Sequence, residues 1–240
     1  MKKFLPFIAL SILLLGCQNQ VSEENQTDQS TYIKKNYLEN GKLMSEIPVV
    51  DDIIHGVAKN YYKSGRLHSR IYYNQGEKTK TVWYYETGEV YRVTPFKDNK
   101  IHGVRKFYHG NKILMAEVPY QNGEPVEGLK EYTTSGTLVT GYPTIQFKKM
   151  EKLDENKVLL RINLSNFSPN VTFYQYIENN GKTIKNAIPA DQGVAQLNFT
   201  LRPGFRIDNK KVTIYAETNS GRGNPYITRA DYYMNAINPK

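Results

Sequence analysis

Between residues 32 and 142 the apolar positions return on a fixed beat. Turn dipeptides stand at Asn40-Gly41, Ser64-Gly65, Thr87-Gly88, Gly110-Asn111 and Ser135-Gly136, and their second residues are spaced by 24, 23, 23 and 25. Four residues before each second residue lies an aromatic: Tyr37, Tyr61, Tyr84, Phe107 and Tyr132. Two residues after it lies an aliphatic: Leu43, Leu67, Val90, Ile113 and Leu138. A second set of turn signals falls between these, at Asp51-Asp52, Gln75-Gly76, Asp98-Asn99 and Asn122-Gly123. Each unit therefore reads as strand, tight turn, strand, turn. Five such hairpins in series predict an elongated antiparallel meander.

After Tyr142-Pro143 that beat stops and strict alternation begins. Val158, Leu160, Ile162 and Leu164 form one apolar row, Ala195, Leu197, Phe199 and Leu201 a second, and Val212, Ile214 and Ala216 a third. Turn signals separate them at Asp154–Asn156, Ser168–Asn170, Asn179–Gly181, Asp208-Asn209 and Asn219–Gly223. About seven strands in this stretch predict a β-sandwich over 143–240. The chain is all-β on this basis.

The faces of the repeat sheet follow if each glycine turn has a two-residue loop. Leu38 then opposes Leu43, Tyr62 opposes Leu67, Tyr85 opposes Val90 and Tyr108 opposes Ile113. On the other face Tyr37, Tyr61, Tyr84 and Phe107 oppose Met44, His68, Tyr91 and Leu114. Both faces then carry aromatics, whereas a single sheet wetted on one side should show one polar face. The row of Tyr62, Tyr85 and Tyr108 fades at its ends to Leu38 and Thr133, as a central patch would. These three tyrosines are the candidate partner-binding residues.

The segments "YYKSGRL", "YYNQG" and "HGVRKFY" resemble the bacterial variant of the MORN repeat, found in proteins labelled YwqK-type antitoxins. The resemblance covers about residues 33 to 142 and implies an elongated twisted sheet of hairpins. It departs at Lys80 and Asn111, where the pattern calls for glycine. Beyond it, "LRPGFRIDNKKVTIYAET" loosely resembles immunoglobulin-like or fibronectin-type domains, without their Cys-Trp-Cys core.

The N-terminus changes the picture of where such a sheet works. "MKKFLPFIALSILLLGC" has a basic start and an apolar run too short to span a bilayer. Its Leu14-Leu15-Gly16-Cys17 ending resembles a bacterial lipoprotein signal peptide over 1–16. The resemblance implies lipidation of Cys17, the single cysteine of the chain, and anchoring to a membrane through two or three acyl chains. Residues 17–31 are polar and read as a flexible tether. Gln18 rather than Asp follows Cys17, which in diderm lipoproteins points to the outer membrane, facing the periplasm or the cell surface. The acidic Ser22-Glu23-Glu24 loosely resembles surface-export signals of Bacteroidota lipoproteins.

Composition and charge narrow the function classes. Tyrosine is abundant, 19 of 240 residues, beside one Trp and one Cys, and the mean hydropathy of -0.60 excludes a multi-span helical membrane protein. Residues 17–143 hold 16 Lys and Arg against 15 Asp and Glu, and residues 144–240 hold 14 against 8. The excess is scattered, so it predicts a solvated face rather than a nucleic-acid partner. No nucleophile elbow, zinc-helix motif or phosphate loop is present, and "GRGNP" at 221–225 reads as a hairpin loop. His55 and His102 sit at equivalent positions two units apart, roughly 19 Å by strand spacing, too far to share a metal. They read as turn-capping residues. The sequence thus predicts a non-enzymatic, cofactor-free envelope lipoprotein whose repeat sheet binds a protein. A toxin-neutralising or immunity lipoprotein and a glycan-binding surface lipoprotein remain as alternatives, and the oligomeric state is open.

Overall fold

A computed structural model describes residues 30–239. The signal peptide, Cys17 and the tether to residue 29 lie outside the described residues. Almost every described element is a strand. The repeat sheet runs β1 (Thr31–Tyr37), β2 (Leu43–Val50), β3 (Gly56–Tyr61), β4 (Leu67–Asn74), β5 (Glu77–Tyr84), β6 (Val90–Lys97), β7 (Gly103–Tyr108) and β8 (Leu114–Gln121), each antiparallel to the one before it. Short pieces at Glu124–Pro125 and Lys130–Glu131 pair with β8 and close that edge. Among the described residues no strand pairs with the outer edge of β1, and Lys34 and Lys35 stand on that strand, as charges often do at a sheet edge.

Two kinds of turn alternate along this sheet. Asp51-Asp52, Gln75-Gly76, Asp98-Asn99 and Asn122-Gly123 all have positive φ at both residues. They are the two-residue turns whose twist suits a hairpin, and short polar residues or glycine tolerate that backbone. The glycine turns are different. Leu38 N–H donates to Lys42 O at 2.8 Å and Gly41 N–H donates to Leu38 O at 2.9 Å. This is a three-residue loop with its last residue left-handed, and it recurs at Tyr62–Arg66, Tyr85–Glu89, His109–Ile113 and Thr133–Thr137. A second bulge follows at once: Tyr61 opposes Leu67, but Asn60 opposes Ser69, leaving His68 extra. Met44, Tyr91 and Met115 are the extra residues of the sister units.

The two-residue loop expected at the glycine turns is therefore corrected, and the cross-strand pairs drawn from it with it. Tyr37, Tyr61 and Tyr84 oppose Leu43, Leu67 and Val90. The fourth unit is displaced by one more residue, because Lys112 (φ 69°) takes the left-handed position. Tyr108, not Phe107, consequently stands where Tyr37, Tyr61 and Tyr84 stand, opposing Leu114.

From Ile145 the chain forms two four-stranded antiparallel sheets. One holds β9 (Ile145–Lys152), β10 (Lys157–Leu164) and β13 (Val194–Thr200), with Ala190–Asp191 on its edge; the other holds β12 (Lys182–Ile188), β11 (Thr172–Asn179), β14 (Arg206–Asn219) and β15 (Pro225–Ile237). Alternate residues of both point into one core. Val158, Leu160, Ile162 and Leu164 of β10 meet Phe173, Val212, Ile214 and Met234 there, all buried. A smaller cluster of Ala116, Val118, Tyr120 and Leu129 closes the last repeat, and Tyr142 and Tyr226 pack on it.

Candidate functional site

Register assigns every strand residue to a face. One unbroken row of cross-strand neighbours crosses the repeat sheet: Asn36, Ser45, Asn60, Ser69, Trp83, Arg92, Phe107, Ala116 and Glu131. We call its face A. The neighbouring row, Lys35, Glu46, Lys59, Arg70, Val82, Val93, Lys106, Glu117 and Lys130, lies on the opposite face B.

Repetition gives these rows an internal baseline. On face A the first two units contribute Asn36–Ser45 and Asn60–Ser69, joined by side-chain hydrogen bonds of 2.8 and 3.0 Å. The third unit places the chain's single tryptophan and an arginine, Trp83 and Arg92, at those same two positions. On face B the outer units keep charge: Lys35 and Lys59 flank Glu46, and Lys106 pairs with Glu117 at 3.2 Å. Tyr61 donates to Glu46 at 2.7 Å, which lowers the Glu46 carboxyl below its ordinary range and, with burial as the larger cause, pushes Tyr61 up to about 12. The third unit instead puts Val82 against Val93. The third unit thus departs from the first two on both faces, whereas the fourth departs on face A alone, with Phe107 against Ala116.

The bulge residues complete an aromatic strip on face A. Tyr62 meets His68 at a ring separation of 4.3 Å, and His68 meets Trp83 edge-on at 4.8 Å. Tyr85 meets Tyr91 at 5.1 Å, and Tyr91 meets Phe107 at 5.9 Å. The Arg92 guanidinium lies over Trp83 at 5.0 Å and within about 6 Å of the Tyr91 and Phe107 rings. Arg105 lies over Tyr120 at 4.6 Å and donates to its hydroxyl at 3.1 Å. Burial, then the neighbouring Arg105 charge, lowers the Arg92 pKa.

The candidate tyrosines of the sequence do not share a face. Tyr62 and Tyr85 stand on face A, and their hydroxyls donate to Tyr84 O at 2.6 Å and Tyr108 O at 2.8 Å. They staple each unit to the next. Tyr108 points to face B, where it lines a shallow depression of about 460 Å³ with Val90, Val93 and Lys112. His109 takes the stapling place, with Nε2 3.2 Å from Tyr132 O. The cause is the one-residue displacement at Lys112. His68, Trp83, Tyr91, Arg92 and Phe107 were missed as a group. The signal for them was present: Trp83 and Arg92 fall where the first two units carry Asn and Ser.

The other sequence-picked residues have structural roles. His55 Nδ1 accepts from Gln75 N–H at 3.2 Å, and His102 Nδ1 accepts from Asn122 N–H at 3.4 Å, each ring holding the next unit's two-residue turn. Gly56, Gly103 and Gly128 have positive φ and face Pro48, Pro95 and Pro119, with room for no more than a tight Cβ contact at the latter two. In the third unit Thr79 falls at the position of Gly56 and Gly103 and Tyr72 at that of the proline, and the neighbouring Lys80 ammonium lies 4.1 Å from the Tyr72 ring. Among the described residues no group of three or more His, Cys, Asp or Glu could hold a metal ion.

Comparison with known families matches the MORN repeat variant at residues 33–51, 54–75 and 101–122. Residues 76–100, which carry Lys80, Trp83 and Arg92, fall between those matches. No curated protein matches the chain.

Proposed function

We propose that this chain is a non-enzymatic envelope lipoprotein that receives a protein partner on face A of its repeat sheet, around Trp83. The supporting observation is the Trp83–Arg92 unit. It replaces a self-satisfied Asn–Ser pair with a broad half-buried aromatic surface, and aromatic and arginine side chains are those that dominate interface energetics. MORN repeats serve generally as interaction modules, which agrees with that use. Tyr62 and Tyr85 contribute ring surface while their hydroxyls hold the units together. The sandwich strand order, with β9, β10 and β13 against β12, β11, β14 and β15, follows immunoglobulin-like connectivity and suits a spacer or support. Lipidation at Cys17 holds the protein to the outer membrane. An antitoxin or immunity role is a special case in which the partner is a toxin.

The test is capture of envelope proteins by residues 18–240 carrying Trp83→Ser and Tyr91→Ser, beside a face B control, Tyr72→Ser. Loss of the captured partner with the face A variant, at a melting temperature near that of the control, supports the proposal. Equal capture by both variants contradicts it.

A further inference from the structure

Resting on the face A proposal, we infer that Arg92 and Arg105 form a carboxylate site that takes an acidic side chain of the partner protein. The two arginines sit on adjacent strands as diagonal neighbours on one face, roughly 7–8 Å apart at the backbone. Two like charges at that distance repel. A carboxylate between them is the ordinary remedy, yet among the described residues neither arginine makes an ion pair, while Lys35, Lys59 and Lys106 of face B do. The carboxylate of the row, Glu131, is three strands from Arg92, and its oxygens already accept from Ser220, Asn224 and Tyr142.

The guanidiniums are also held for binding. Each lies over an aromatic ring, at 5.0 Å from Trp83 and 4.6 Å from Tyr120, which limits the rotamer freedom that a partner would otherwise have to freeze. Each Nε is buried without a hydrogen-bond partner. Among the described residues the terminal nitrogens of Arg92 have no hydrogen-bond partner, so its end-on fork is open to an oxygen pair. Burial lowers the Arg92 pKa, consistent with a charge that lacks its counterion.

The surroundings favour a protein carboxylate over a lipid surface. A membrane face draws on several exposed lysines and arginines. Face A offers these two guanidiniums among Ser69, Thr81 and Thr94; of the lysines in the sheet's strands, Lys34 and Lys78 share that face, Lys78 over the Phe96 ring at 5.0 Å, while Lys35, Lys59, Lys80, Lys106 and Lys130 stand on face B. The planar carboxylate matches the guanidinium fork, and the Trp83 and Phe107 rings accept the aliphatic stem of a glutamate.

Trp83, the single tryptophan, lies under Arg92 and reports on the site directly. The purified full chain is titrated with an acetylated tetrapeptide of Asp and Glu, the matching Asn and Gln tetrapeptide, inorganic phosphate and phosphatidylglycerol vesicles, reading Trp83 emission. The expected result is a saturable change with the acidic peptide alone, weakened at least tenfold in Arg92→Gln and, less severely, in Arg105→Lys, which keeps the charge but loses the fork. No change in the wild-type chain, an equal change with the neutral peptide, or a change with phosphate or vesicles alone overturns the inference. If partner capture needs Trp83 and Tyr91 but ignores Arg92→Gln, the carboxylate site fails and the face A proposal stands. If the peptide responds while capture ignores the aromatic strip, the face A proposal fails by itself.

Discussion

Removing the Glu131 carboxylate should loosen the joint between the repeat sheet and the sandwich. Glu131 is 2% exposed. Its Oε1 accepts from Ser220 Oγ at 2.7 Å and from Asn224 Nδ2, and its Oε2 accepts from Tyr142 OH at 3.0 Å. Ser220 and Asn224 belong to the β14–β15 turn, so this one side chain ties the last repeat to the sandwich, and Arg222 adds a bond to Tyr132 O. Tyr142 also stacks on Tyr226 at 4.9 Å. Hydrogen bonds to a charged group contribute about 1.5–3 kcal/mol each, against several kcal/mol of carboxylate desolvation. The net value of the carboxylate is therefore modest. Its deletion is not, because Glu131→Ala leaves three donors unpaired, at a cost of about 3–5 kcal/mol. Glu131→Gln keeps the shape but turns one acceptor into a donor, costing about 1–3 kcal/mol. With a urea slope of about 2 kcal/mol/M, the alanine variant should unfold at roughly 1.5–2.5 M less urea. Trp83 fluorescence reports the repeat sheet and far-UV circular dichroism reports both parts. The two curves should separate in Glu131→Ala. A midpoint shift under about 0.5 M with coincident curves would refute the joint.

Gly103→Ala should cost about 1–3 kcal/mol, from its φ of 97° and a Cβ 3.2 Å from Pro95, whereas Gly88→Ala, at φ 105° with open space around it, should cost less; equal losses in a urea series would show that the Pro95 contact is irrelevant. Tyr142 is raised from 10 to about 12, by burial first and then by the Glu131 bond. A group raised on folding stabilises fully below its unfolded value, so this contribution holds below pH 10 and is lost as pH climbs through 12. Tyr142→Phe should flatten the fall of stability across pH 10–12, and an unchanged slope counts against it. Tyr85→Phe removes the staple to Tyr108 O and should lower stability by about 1 kcal/mol while leaving its ring on Tyr91; a loss above about 3 kcal/mol would mean the ring packing had been misjudged. Labelled palmitate should enter the wild-type chain and not Cys17→Ala, which should leave the membrane fraction; an unlabelled wild type excludes the anchor.

The strand order of the repeat sheet was legible because each unit repeats the same aromatic, turn and aliphatic positions. The alternation at 158–164, 195–201 and 212–216 announced the sandwich core equally plainly. Which face each tyrosine takes was not legible. A side chain changes face with every residue of register, and a lysine at position 112 adopting a left-handed backbone leaves no glycine to mark it. That single residue sends Tyr108 to face B and hands its stapling place to His109. The second bulge is equally silent in sequence, since no one residue type marks it: its extra residues are Met44, His68, Tyr91 and Met115. Glu131 could not be read either, because its Ser220 partner lies 89 residues away. Trp83 and Arg92 were legible in principle, as the unit that departs from its own repeat.

Site-specific photo-crosslinking in living cells tests the central claim most directly. A photoreactive residue is placed at His68 on face A or at Lys59 on face B, and crosslinked partners are compared. The account predicts a discrete protein adduct from position 68, absent from position 59 and lost when Trp83→Ser is added. Adducts from position 59 alone, or the same adduct from both positions, would contradict it.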